Sequence, residues 1–257
     1  MHTFLFKYLV FGPISSRRLG RSLGLNILPK EHKLCNFDCV YCECGEDHEK
    51  HQNVKFPTVE DIIEELLLKC QMLNDRGIEI DTISFAGNGE PTLHPDFEEI
   101  MYSVKTVRDL LLPKAKIAVL NNATMLHKRQ VKKALDIADY SICKLDAGDE
   151  KSFQLINRPL GNLTYEKVKE NLRNYGNKLI IQSLFFKGKN ANEKLGNYKD
   201  EEIEKYLQEV VEIQPESVML YSLDRTTAVP DLEAVSIAQL KTIAQRLNQL
   251  GITATVA

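Results

Sequence analysis

Apolar and polar residues follow two alternating rhythms along this chain. Short apolar runs at 23–28, 81–86, 116–120, 140–145, 179–185 and 217–220 predict six strands. Helical spacing predicts helices between them, over 96–111, 125–138, 164–175 and 200–213. Another helix begins after Thr58, with Asp61 three residues on as its capping-box partner. Its apolar stripe is Ile62, Ile63, Leu66, Leu67, Cys70 and Leu73. Cys70 on that stripe reads as a small buried hydrophobe. Ser236 and Gln239 open a last helix with a second capping box, and 253–256 adds a short final strand.

Six strand–helix units in succession predict a parallel sheet with right-handed crossovers, either open or curled into a partial barrel. Such folds collect functional residues at the C-terminal ends of their strands. The polar motifs of this chain lie directly after predicted strands, which points to one active site fed by several of them. With 257 residues and 43% hydrophobic content, the chain can bury a full core. A single domain over 1–257 is expected, with residues 1–22 as a basic lead-in and 23–250 as the barrel core. The apolar run near the N-terminus is short and interrupted by Lys7, unlike a signal peptide or a membrane span. A cytoplasmic protein with reduced cysteines is the expectation.

Cys35, Cys39 and Cys42 lie in one loop after the first predicted strand, with gaps of three residues and then two. Three thiolates so close together can hold one iron–sulfur cluster. A cubane cluster has four irons, so three cysteines leave one iron open to a ligand. An open metal position is a reactive one. Zinc is the competing reading, with Cys44, His48 or His51 completing a tetrahedral set, although no second cysteine knuckle follows. A disulfide framework does not suit so long and cysteine-poor a chain.

The run Cys35-x3-Cys39-x-Tyr41-Cys42 resembles the cysteine loop of the radical S-adenosylmethionine (radical SAM) superfamily. Gly87-Asn88-Gly89-Glu90-Pro91, after the second strand, is similar to that family's Gly-Gly-Glu-Pro motif, which binds the amino group of SAM. Asn121 and Asn122, after the third strand, are similar to its Thr-Asn-Gly segment near the SAM ribose. Ala123 replaces the usual glycine there, so the backbone is expected to avoid positive φ, and Thr124 is expected to cap the next helix. Strand alternation puts Lys144 and Asp146 on one face and Cys143 on the other, in the core. That pair reads either as a polar wall near the SAM carboxylate or substrate, or as a structural ion pair. Gln182 and Ser183 on the fifth strand, and Asp224 and Arg225 after the sixth, are further pocket candidates.

The resemblance implies an α/β fold: a partial (β/α)6 barrel of the radical SAM type, with parallel strands and helices outside. It implies a 4Fe-4S cluster on Cys35, Cys39 and Cys42 that reductively cleaves SAM, with Tyr41 beside it. The resulting 5′-deoxyadenosyl radical would abstract hydrogen from a substrate, and a flavodoxin or ferredoxin would donate the electron. Residues 11–24 and 221–226 look like the uncharacterised iron–sulfur oxidoreductases grouped with wybutosine-synthesis enzymes. Those synthesis enzymes carry a second cysteine triad. Here only Cys44, Cys70 and Cys143 remain, which does not support a second cluster.

The net charge of −3 argues for no polyanionic partner, yet residues 1–30 hold Lys7, Arg17, Arg18, Arg21 and Lys30 and no acid. Arg17, Arg18 and Arg21 suit an anion, which guanidinium grips in two-pronged fashion. Substrate class stays open among a small molecule, RNA and a protein. A glycyl-radical enzyme activase, an RNA-modifying enzyme and a non-enzymatic zinc or iron–sulfur module are the alternatives.

Overall fold

Each predicted strand is present, and the sheet runs in chain order. The computed structural model describes residues 4–46, 54–176, 178–192 and 194–257. An antiparallel pair opens it: β1 (Val10–Ser16) and β2 (Gly20–Leu25). Parallel strands follow: β3 (Thr82–Phe85), β4 (Lys116–Asn121), β5 (Tyr140–Lys144), β6 (Leu179–Gly188) and β7 (Ser217–Ser222). β8 (Leu232–Ala234) pairs antiparallel with the far end of β6, and β9 (Ala254–Val256) closes the order beside β7. The crossovers carry α1 (Val59–Asp75), α2 (Phe97–Leu111), α3 (Arg129–Leu135), α4 (Glu150–Ile156), α5 (Tyr165–Tyr175), α6 (Asp200–Ile213) and α7 (Ile237–Gln249). The sheet curls into a partial barrel with helices outside. No described helix is long and apolar enough to cross a membrane.

Strand alternation divides the apolar residues between two cores. Ile117 and Val119 on β4, Cys143 on β5 and Ile181 on β6 face the helices and join the main core. Ala118, Ile142 and Ile180, on the other face, form a small inner cluster with Leu19, Leu120 and Met219 against it. Both expected capping boxes are present, at Thr58 with Asp61 and at Ser236 with Gln239.

The sheet extends past 23–250 in both directions, so residues 10–22 form β1, a turn at 17–19 and the start of β2 rather than a lead-in. β1 escapes a periodicity reading because it is an edge strand. Its register shifts between Phe11 and Ile14, with Pro13 inside the irregularity, where a missing N–H is tolerated. The strand expected over 23–28 instead leaves the sheet after Leu25. Asn26 there donates its N–H to Leu9 and ties its side chain to Leu28. The helix expected over 125–138 shortens to α3, whose N-cap position is Lys128, with no side-chain cap bond. Thr124 does not cap it, because its hydroxyl is engaged with Asn36 and Asn122. The short α4, held by Asp149 accepting from the Ser152 N–H, has too few residues to show a period.

Candidate functional site

The loop after β2 carries the three clustered cysteines, and backbone bonds pin it on two sides. Leu34 donates to Asn88 O (2.8 Å) and accepts from Glu90 N (2.9 Å). Asp38 N and Val40 N donate to the Asn157 and Ile156 carbonyls. Gly89 has φ +137°, and a Cβ there would stand 1.8 Å from Leu34 O. Glycine at 89 is therefore required by the cysteine loop's own backbone rather than by a ligand.

A buried ion pair closes the loop from beneath. Lys33 Nζ donates to Asp38 Oδ1 (2.7 Å) and to Gly45 O (3.0 Å), so one ammonium joins both ends of the cysteine segment. Burial opposes the charge of Lys33, but Cys42, the Asp38 hydrogen bond and Cys35 outweigh it and raise its pKa. Sequence reasoning passed over Lys33, since a lysine two residues before a cysteine carries no signal of burial.

Cys35, Cys39, Cys42 and Cys44 all line one cavity of about 290 Å³ at the C-terminal ends of the parallel strands. All four thiols are free. Burial pushes Cys35 up, with nearby Glu90 adding to it, and burial pushes Cys39 up to about 11. Cys42 is lowered by the hydrogen bond from Cys44, against burial and with Lys33 assisting. Asn157 Nδ2 donates to Cys39 Sγ (3.4 Å), and Asn122 Nδ2 lies 3.8 Å from Cys35 Sγ. Asn157 follows α4 and lies far from any motif, so only the fold reveals it.

Tyr41, Gly87, Gly89 and Glu90 line the same cavity, as do Asn121, Asn122, Lys144 and Gln182. The buried Glu90 carboxylate accepts from Thr92 N (3.0 Å) and Asn122 N (2.7 Å). Burial nevertheless raises its pKa to about 7. Asn121 Oδ1 accepts from Ala123 N, and Asn122 Nδ2 donates to Asn36 Oδ1, so β4 is stitched to the cysteine loop.

Two residues of the motifs stand back from the cavity. Asn88 bonds through its side chain to Phe6 and Pro29, which fastens the N-terminal segment instead. Asp146 lies behind Tyr41 and accepts from the Tyr41 hydroxyl, Asn157 Nδ2 (3.2 Å) and Leu184 N (2.8 Å). Its ion pair with Lys144 is 3.7 Å, so the lysine faces the cavity and the aspartate supports it. Burial opposes the charge of Lys144, but Asp146 and then Tyr221 raise its pKa. Ser183 bonds to Leu145 O and the Tyr206 hydroxyl, away from the cavity.

The arginines separate. Arg21 lies at the opposite end of the sheet, bonded to Asp81 and Glu79 beside a cavity of about 660 Å³ that holds no thiol. Arg18 reaches the thiol cavity, while Arg17 and Arg225 line a neighbouring one. His48 and His51 lie outside the described residues.

Ala123 adopts φ +64°, the left-handed conformation its side chain was expected to forbid. Bonds from Ala123 N to Asn121 and from Asn171 Nδ2 to Ala123 O (2.9 Å) hold it there. That conformation costs a non-glycine residue about 1–2 kcal/mol, and a glycine returns roughly half of this as backbone entropy. Ala123 is also only 1% exposed in the core, where losing its methyl costs about 0.8 kcal/mol, so Ala123→Gly is expected to leave the stability of the metal-free protein within about 0.5 kcal/mol, read as a nearly unchanged urea midpoint.

The family described as the Radical SAM superfamily matches residues 32–194. A relative named GTPase Obg, from Brachyspira hyodysenteriae, is 34% identical over 237 residues, covering 90% of this chain and 32% of its own length. A UPF0026 protein of Methanocaldococcus jannaschii is 34% identical over 181 residues, covering 68% of this chain and 53% of its own. The chain thus spans 32% and 53% of the length of these two curated relatives. A radical SAM methyltransferase from Sphaerobacter thermophilus has the same fold, with a TM-score of 0.66 at 15% identity, over 92% of this chain and 65% of that one.

Proposed function

The chain belongs to the radical SAM superfamily, and from that premise we propose that Cys35, Cys39 and Cys42 hold its 4Fe-4S cluster while Glu90 and Lys144 orient its SAM. The observation that carries this reading is the convergence of the three thiols and Glu90 on one cavity at the strand ends. The donor set fits the cluster. Soft thiolates suit iron–sulfur centres. Among the described residues, no three His, Cys, Asp or Glu side chains converge as ligands of a single ion. The Lys33 ammonium offsets part of the charge three thiolates would bring.

When bound, the two cofactors supply one-electron cleavage of the sulfonium carbon–sulfur bond and hydrogen-atom abstraction from substrate. The protein's part is orientation and exclusion of water. Glu90 offers a carboxylate to the SAM ammonium, and Lys144 a cation to its carboxylate. Asp146 fixes Lys144 and the Tyr41 hydroxyl. Asn121 and Asn122 occupy the wall assigned to the ribose. The electron comes from a donor of the flavodoxin or ferredoxin kind.

Anaerobic reconstitution with iron and sulfide, then reduction with SAM present, tests the reading. Iron-dependent release of 5′-deoxyadenosine is the expected result, and SAM cleavage by metal-free protein would overturn it. SAM affinity should also depend on pH. Below about pH 7 Glu90 becomes protonated and loses its attraction for an ammonium. Above about pH 8 the α-amino group itself loses its proton. Affinity is expected to peak between these values and to be about fivefold lower at pH 6, measured by calorimetry. A flat profile would remove Glu90 from this role.

A further inference from the structure

A second cavity, of about 350 Å³, adjoins the thiol cavity. The two share Arg18, Tyr41, Glu43, Leu184 and Tyr221 in their walls. Three guanidinium groups and two carboxylates line the second cavity. Arg17 pairs with Asp224 (3.6 Å), and Arg225 pairs with Glu43 (2.8 Å). Arg18 has no ion pair among the described residues. Its guanidinium carbon lies 4.3 Å from the centre of the Tyr221 ring, and its Nη1 is buried with no hydrogen-bond partner. Tyr221 is itself held, because its hydroxyl accepts from Lys144 Nζ (3.0 Å).

Nη1 is shielded from solvent, so the remaining edge of the Arg18 fork is what a ligand in the cavity can meet, and no carboxylate among the described residues offsets its charge there. The arginine is also preorganised, since the aromatic face beneath it fixes the plane of its fork. We infer that this cavity is the substrate site and that Arg18 grips a single carboxylate or phosphate group of a small-molecule substrate. The inference rests on the proposed function, which places SAM next door. Its reacting carbon would then lie toward the wall shared with the thiol cavity. The volume suits a small molecule. One uncompensated cation matches one oxyanion, whereas a nucleic-acid backbone is held by many.

The test titrates the reconstituted, SAM-saturated protein of residues 1–257 with inorganic phosphate and, separately, with acetate, by calorimetry. Wild type is expected to bind at least one of them saturably, and the tighter probe identifies the group. Arg18→Met should weaken that binding by about tenfold or more, while SAM affinity stays within about twofold. Arg21→Met, at the far end of the sheet, should change neither. The inference is overturned if neither anion binds saturably, or if Arg18→Met binds them as wild type does. It is equally overturned if SAM affinity falls together with anion affinity, which would give Arg18 to the cofactor. Short single-stranded RNA binding more tightly than either anion, and weakened equally by both variants, also overturns it. Repeating the titration on metal-free protein separates the two readings. Anion binding that depends on Arg18, in a protein that takes up neither iron nor SAM, would sink the proposed function alone.

Discussion

Cys39→Ala protein, reconstituted anaerobically, is expected to hold no cluster and to cleave no SAM. Cys39 is the most buried of the three clustered thiols and receives a hydrogen bond from Asn157. Its loss leaves two thiols of the triad on that cavity, too few for a site that already leaves one iron open. Cys44 is the informative contrast. It lines the same cavity, and its single S–H has two acceptors within reach, Cys42 Sγ and Gly87 O at 3.6 Å. Cys44→Ala is expected to keep full iron and sulfide content and SAM cleavage. Loss of iron on that change would make Cys44 a ligand and revive a four-thiolate site. Cys70→Ala serves as the control, since its side chain sits wholly within the core on α1.

Lys33→Met is expected to cost about 3–5 kcal/mol in the metal-free protein, the usual range for removing one partner of a buried ion pair. The side chains of Lys33 and Asp38 are only 4% and 10% exposed. The change strips the cation from the Asp38 carboxylate and the donor from Gly45 O. Lys33→Met with Asp38→Leu should recover most of the loss, because a buried ion pair replaced by packed apolar groups is often neutral. Lys114→Met provides the comparison. Lys114 pairs with Glu79 at 3.4 Å with both side chains over four-fifths exposed, so its loss should stay under about 1 kcal/mol. Urea denaturation under reducing conditions reads all four proteins. A single-variant loss below about 1 kcal/mol would show that the pair does not hold the loop.

Much of this site was legible because its motifs are local. The cysteine spacing lies within eight residues, and Gly87–Glu90 and Asn121–Asn122 each end a strand whose apolar run is plain. The capping boxes at Thr58 and Ser236 were equally readable, since a cap needs only residues three apart. The misses have a common origin. β1 is held by pairing with β2 rather than by any period of its own. Ala123 takes a left-handed turn because Asn171, far along the chain, bonds its carbonyl while the neighbouring Asn121 accepts from its N–H. Asn88 sits inside the Gly87–Pro91 run yet serves the N-terminal segment, because Phe6 and Pro29 reach it first.

The arginines draw the line most clearly. Residue type and spacing marked Arg17, Arg18 and Arg21 alike as anion ligands, since guanidinium chemistry is the same in each. Their partners were a matter of folding. The β1–β2 turn carries Leu19 against the inner cluster of Ala118, Ile142 and Ile180, which brings Arg18 to Tyr221. Arg21, three residues on, is the second residue of β2, beside Asp81 at the other end of the sheet. The chain thus declared its cofactor chemistry in short motifs, because metal and SAM ligands are set by residue type at close spacing. Which cation was left uncompensated, and which cavity it faced, depended on strands far apart in sequence. Electrostatic partnership is a property of distance in space, and the curled sheet set those distances.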